Sequence, residues 1–126
     1  MSRIVLDTGA LIALDRNDRS LWADLKAWGH ARDLVIVPST ALAQSWRGSA
    51  SQAALARALR RCTVAPFDGL ERRIGELCGR AGSDDICDAH VALIAATCDA
   101  IYTSDPGDLA DLIRHARGRT PVIVRC

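Results

Sequence analysis

Asp7 directly follows the apolar run Ile4-Val5-Leu6, and Asp105 stands just beyond Ile101-Tyr102-Thr103, so two carboxylates sit where buried strands should surface. Between them, Ser83-Asp84-Asp85-Ile86-Cys87-Asp88 places three more acids at the start of an Ala-rich apolar segment. If the two strands are neighbours in a parallel sheet, their acids converge at its carboxyl edge, where open α/β sheets bind ligands. Carboxylates gathered in one place repel one another and are costly unless a cation joins them. The chemistry such a cluster suits is divalent-metal binding.

Taken singly, each strand-end acid suits a helix N-cap or first turn as well as a site. Two of them, with a third group on a helix, favour a site. Asp84 and Asp85 fall in the expected first turn of a helix over 84–97, where the helix dipole alone would favour them. Asp88 is expected further in, on the small-residue face of Ala92 and Ala95, where an unpaired carboxylate would be costly. Asp108, three residues after Asp105, is either a further ligand or a dipole-compensating acid. His30, His90 and His115 stand in no ligand pattern. Oxygen-only donors select Mg²⁺ or Mn²⁺ over zinc, and no His is placed as the base of a Ser-His-Asp or Cys-His arrangement.

The elements that must position these acids can be read from periodicity. Strands are expected at 3–6, 34–37, 63–67, 100–103 and 121–124, the third weakened by Pro66 and so suited to an edge or an end. Helices are expected over 8–15, 20–30 with Ser20 as cap, from Ser39 or Thr40 to near Gly48, 51–61, 68–78, 84–97 with Ser83 as cap, and from Pro106 onward. Apolar strands alternating with helices, without a long polar linker, predict a single α/β domain over residues 1–126. Trp22 and Trp28, at helical spacing with Leu21 and Leu25, are expected in the core rather than at an interface.

With 126 residues the chain can bury a real core but has little room for a second domain. Every apolar run is interrupted well short of the roughly 20 residues of a membrane span, and Met1-Ser2-Arg3 leads straight into a strand without a signal-like apolar region. A soluble, cytoplasmic protein is the expectation. Five cysteines, an odd number with no C-x-x-C pair, are expected to be reduced, buried hydrophobes. The formal net charge of +1 makes no case for a polyanion-binding surface as a whole, so any nucleic-acid affinity must come from a local patch.

Four segments, in order, carry a resemblance. Val5-Leu6-Asp7-Thr8-Gly9-Ala10-Leu11, the stretch from Val37 to Arg47, Asp85-Ile86-Cys87-Asp88-Ala89-His90-Val91 and Thr103-Ser104-Asp105-Pro106-Gly107-Asp108-Leu109 resemble the motifs of PIN-domain ribonucleases, particularly VapC-type toxins of toxin–antitoxin pairs. The resemblance runs nearly end to end. It implies a three-layer α/β/α sandwich with a central, mainly parallel sheet. It also implies Mg²⁺- or Mn²⁺-dependent endonucleolytic cleavage of RNA leaving 5′-phosphates, inhibition by a small cognate antitoxin, and a homodimer. Carried over by position, the metal-site acids are Asp7, Asp88 and Asp105, with Asp85 and Asp108 as further candidates and Thr8 and Ser104 as supporting hydroxyls. Arg47 is a candidate RNA contact, as are some of Arg16, Arg19, Arg57, Arg60 and Arg61, each of which equally suits a solvated helix face. One position departs: Gln44 stands where the second motif usually carries Glu. An amide brings no negative charge and cannot act as a carboxylate base, so an impaired PIN domain that binds RNA or antitoxin without efficient cleavage is the competing reading. Asp7-Thr8-Gly9-Ala10 also resembles an aspartic-protease loop, but that fold is β-rich. A phosphate-accepting receiver domain would want a Lys at a late strand end, and Lys26 is the chain's single lysine.

Overall fold

The computed structural model describes residues 1–126. Five strands, β1 (Arg3–Leu6), β2 (Leu34–Pro38), β3 (Thr63–Ala65), β4 (Ala100–Thr103) and β5 (Val122–Arg125), form one sheet in the order β3-β2-β1-β4-β5, every pair parallel. Seven helices connect them: α1 (Thr8–Asp15), α2 (Arg19–Ala31), α3 (Ser39–Ser45), α4 (Ala53–Leu59), α5 (Glu71–Ala81), α6 (Ile86–Ala95) and α7 (Pro106–His115), with a turn of 3₁₀ helix at Ala50–Gln52. The all-parallel, helix-flanked sheet is the PIN-like architecture expected, and it excludes the β-rich protease reading.

Strand order explains the layering. From β1 the chain steps outward to β2 and β3, then crosses back to β4 and continues to β5. Parallel crossovers are right-handed, so reversing the direction of travel puts α1–α4 on one face and α5–α7 on the other. Packing agrees: α1 lies against α2, α3 and α4, while α5, α6 and α7 pack on one another. The central strands are buried on both faces, which is why they read as unbroken apolar runs rather than alternating ones. Val5, Leu6, Leu11, Leu14, Leu55, Leu77 and Ile101 are inaccessible to solvent, each such aliphatic side chain contributing roughly 1.5–3 kcal/mol through burial.

Several element boundaries differ from the sequence expectation, each for a local reason. Asp18 rather than Ser20 caps α2, its carboxylate accepting the Leu21 N–H at 2.9 Å. Asp85 rather than Ser83 caps α6, accepting from Asp88 N–H at 2.9 Å, while the Ser83 hydroxyl accepts from Asp85 N–H one step earlier. Asp84 and Asp85 therefore precede the helix, and Asp88 lies in its first turn rather than further in. At α3 neither Ser39 nor Thr40 supplies a cap bond; the Ser39 hydroxyl instead accepts from Phe67 N–H, tying the exit of β3 to the end of β2. The helix after β3 begins at Glu71 instead of Asp68, because Gly69 turns the chain at φ +87°. β3 is at an edge, as Pro66 required. Trp22 and Trp28 do pack against the core, Trp28 edge-on to Tyr102. All five cysteines are free thiols, and Cys126 is exposed, against the expectation of burial. No helix is long and apolar enough to cross a membrane.

Candidate functional site

β1 and β4 are adjacent, with Ile4 opposite Ala100 and Leu6 opposite Tyr102. Here the strand order reverses its direction, the crevice position at which open α/β sheets place ligands. Asp7 leaves β1 in this crevice. Its N–H donates to the Tyr102 carbonyl at 3.2 Å, and its Oδ1 caps α1 by accepting from Ala10 N–H at 3.0 Å. Asp7 is thus both a cap and a site candidate, and only 6% of it is exposed. Burial pushes its pKa up, the Thr103 hydroxyl and the Ala10 and Gly9 N–H groups pull it back, and the charge of Asp105 raises it further.

Asp105 reaches the same crevice from β4, its N–H donating to Thr103 Oγ1 at 2.9 Å. Thr103 is fully buried and serves both acids, a hydroxyl additional to Thr8 and Ser104, the two that the resemblance points to. The signal was present: a Thr two residues before a strand-end Asp makes a local hydroxyl turn that fixes the next acid. Ser104 is exposed and lies against Gly9, where an added Cβ would meet Ser104 Cβ at 2.6 Å. Gly9 is required by that close approach between the β1–α1 and β4–α7 turns.

Asp88 brings the third acid from α6. Its pKa is pushed up to about 6, first by burial, then by Asp85, and then by the charges of Asp7 and Asp105. The Asp108 carboxyl is raised chiefly by Asp105. The acids from the three expected motifs therefore sense one another, with Asp85 and Asp108 alongside. No cation relieves them, since the chain's ion pairs are Asp111 with Arg114 and His115, and Asp99 with Arg119. As the side chains stand, no set of three or more His, Cys, Asp or Glu is arranged to hold a metal ion.

Gln44 borders the cluster from α3. Its Oε1 accepts from Thr8 Oγ1 at 2.7 Å and from Cys87 Sγ at 3.2 Å. Thr8 is thereby committed to Gln44, and Cys87 joins the site unforeseen by sequence reasoning, which had treated it as a core hydrophobe. Arg47 turns back on its own segment, donating to the carbonyls of Trp46 at 2.8 Å and Ala43 at 3.3 Å. His90 is fully buried, one ring nitrogen 2.8 Å from Thr40 Oγ1 and its ring edge-on to Phe67, so it is a core residue outside the acid cluster.

Compared by sequence, the chain matches no family model and no curated protein. Compared by structure, it is similar to a chain in the crystal structure of VapBC2 from Rickettsia felis bound to a DNA fragment from their promoter. The TM-score is 0.66 over 98% of both chains at 17% identity. A likeness at that identity carries the fold, and it does so from end to end.

Proposed function

We propose that this protein is a divalent-metal-dependent endoribonuclease and the toxin of a toxin–antitoxin pair. The observation that carries the reading is the placement of Asp7 and Asp105 at the ends of the paired strands β1 and β4, at the sheet's switch point, with Asp88 on α6 near enough to feel both charges and no cationic partner for any of them. Donor chemistry fits a hard cation: every acid offers oxygen, and burial makes uncompensated charge costly at Asp7 and, in part, at Asp88. Asp7, Asp88 and Asp105 would hold the ion, with Asp85 and Asp108 at hand. A bound Mg²⁺ or Mn²⁺ would acidify a water and neutralise phosphate charge.

The chain's own contribution is positioning. The N-cap bond to Ala10 fixes Asp7, Thr103 fixes the backbone of Asp105, and the Asp85 cap fixes the first turn that bears Asp88. The shared fold with a VapBC2 chain and the four motif-like segments support the toxin role and a small antitoxin as partner; a homodimeric state rests on the motif resemblance alone.

A Mg²⁺ titration coupled to RNA cleavage, with a chelator control and Asp7→Asn, tests the reading. Asn caps helices about as well as Asp, so the variant should fold. It should also be inactive; retained metal-dependent cleavage in a nuclease-free preparation sinks the proposal.

One observation favours a second reading, an impaired PIN domain that binds RNA or antitoxin without efficient cutting. The single side-chain oxygen of Gln44 is already taken by Thr8 and Cys87, so it brings neither charge nor a free oxygen to the acids. RNA binding without cleavage at any Mg²⁺ or Mn²⁺ concentration identifies that case.

A further inference from the structure

The largest cavity is not at the acid edge. It measures about 910 Å³ and lies between α2 and the end of α4, lined chiefly by Arg19, Trp22, Lys26, Arg57, Arg60 and Arg61. On α2, Arg19, Trp22 and Lys26 recur at helical spacing, and Arg57, Arg60 and Arg61 do the same on and just beyond α4. No acid lines this cavity, and none of its five cations belongs to an ion pair. Five like charges thus converge in a chain whose net charge is only +1. Like charges gathered along one groove with no acid among them make a local positive potential, which draws a polyanion.

We infer that this cavity is a second RNA contact, holding the phosphate backbone of a single strand whose continuation reaches the acid edge. The inference rests on the nuclease reading for its choice of polyanion. The reacting edge is itself acidic and repels phosphate, so substrate affinity has to be supplied elsewhere on the molecule. Continuity supports the route. Asn17 and Arg19 line this cavity, while Arg16 and Asp18 of the same turn line a neighbouring one of about 450 Å³ that reaches Gly9 and Ser104 beside Asp7 and Asp105. Phosphate rather than base is the group read here. The Arg57 guanidinium covers the Trp22 ring at 5.8 Å, and the indole N–H is tied to the Leu14 carbonyl at 3.0 Å. The ring holds a guanidinium in place and is not free to stack a base, so binding is indifferent to sequence.

The probe is a fluorescein-labelled, unstructured single-stranded RNA of roughly a dozen nucleotides, titrated by anisotropy against wild type and Arg19→Ala/Arg60→Ala in EDTA across a range of salt. Both arginines are exposed and make no side-chain hydrogen bond or ion pair, so matched melting curves and circular dichroism should verify an intact fold. The double variant should bind at least about tenfold more weakly at low salt. Its slope of log K against log salt should be shallower by about 1.4, or about 0.7 per lost single-strand phosphate contact, equally for oligo-U and oligo-A. Unchanged affinity and slope overturn the inference, as does absence of RNA binding by wild type at low salt. Loss of an acidic partner protein with RNA binding retained also overturns it and marks a protein-docking surface. The two readings fail separately. Cleavage in Mg²⁺ with an unaffected slope removes the groove and leaves the nuclease; a groove-dependent slope without cleavage does the reverse.

Discussion

Replacing Asp88 with Asn should stabilise the metal-free protein at neutral pH. Asp88 is half-buried among Asp85, Asp7 and Asp105, and its pKa rises from 3.8 to about 6. A folded-state pKa above the unfolded value means that the native protein holds the proton more tightly. The associated stability is present below about pH 4 and is lost as pH rises through about 6. The shift of about two units corresponds to about 3 kcal/mol; partial exposure and screening by salt reduce this to about 1 kcal/mol. The backbone N–H bond from residue 88 to Asp85 survives the substitution and the Asn amide can still donate to the Asp85 carboxylate, so removing the charge breaks no cap. In EDTA at pH 7.5, Asp88→Asn should therefore melt about 3–5 °C above wild type. The gap should close as pH falls towards 4. Differential scanning calorimetry at both pH values, with and without Mg²⁺, reads it: Mg²⁺ should raise the wild-type midpoint and leave the variant nearly unmoved. A variant less stable than wild type at pH 7.5 in EDTA, or a gap that ignores pH, refutes the claim that burial and acidic neighbours leave the Asp88 charge uncompensated.

Gly9→Ala should cost about 1–3 kcal/mol in urea denaturation, because overpacking against Ser104 outweighs the better helix propensity of Ala; Ser104→Gly in the same chain should recover part of the loss. Asp18→Ala should destabilise by about 1 kcal/mol through the lost α2 cap, whereas Ser20→Ala should be nearly neutral, and a reversed order would restore Ser20 as the cap. Gln44→Glu should tighten Mn²⁺ binding measured by calorimetry and raise RNA cleavage; an unchanged affinity would place residue 44 outside the metal's reach. Leu6→Ala, deep between the layers, should cost about 2–5 kcal/mol by thermal unfolding.

The strands and the parallel sheet were legible because burial on both faces writes itself as continuous apolar runs, as in Leu34–Val37 and Ile4–Leu6. Asp7 and Asp105 were legible for the same reason, since a charge at the end of such a run must emerge at the edge. Caps were harder. Where two polar residues lie near a helix start, as Asp18 and Ser20 or Ser83 and Asp85 do, composition alone does not say which one meets the second or third N–H. For this reason the pattern predicts a helix from residue 84 and sets Asp88 deeper than the first turn of Ile86–Ala95 that it occupies. Thr103 and Ser104 offer the same hydroxyl in sequence, and the spacing of two residues to Asp105 is what lets Thr103 accept its N–H. Cys87 and the cationic cavity were beyond sequence reading as assemblies. Cys87 meets Gln44 across 43 positions, and the cavity joins two helices through a packing angle that no local pattern records.

The pairing of β1 with β4 joins Ile4 to Ala100 and seats Asp7 beside Asp105. The two acids enter from opposite ends of the chain, and the strand that unites them is laid down only after β2 and β3 have been built outward on the other side. The pairing is non-local, closing a loop that runs out through β2 and β3 and back. No fragment ending before β4 possesses the acid pair, and local fraying of one helix does not create it. The acid pair is therefore a property of the β1–β4 pairing alone: it exists once β4 has docked on β1, and a cut anywhere between the two strands severs the covalent link between its halves.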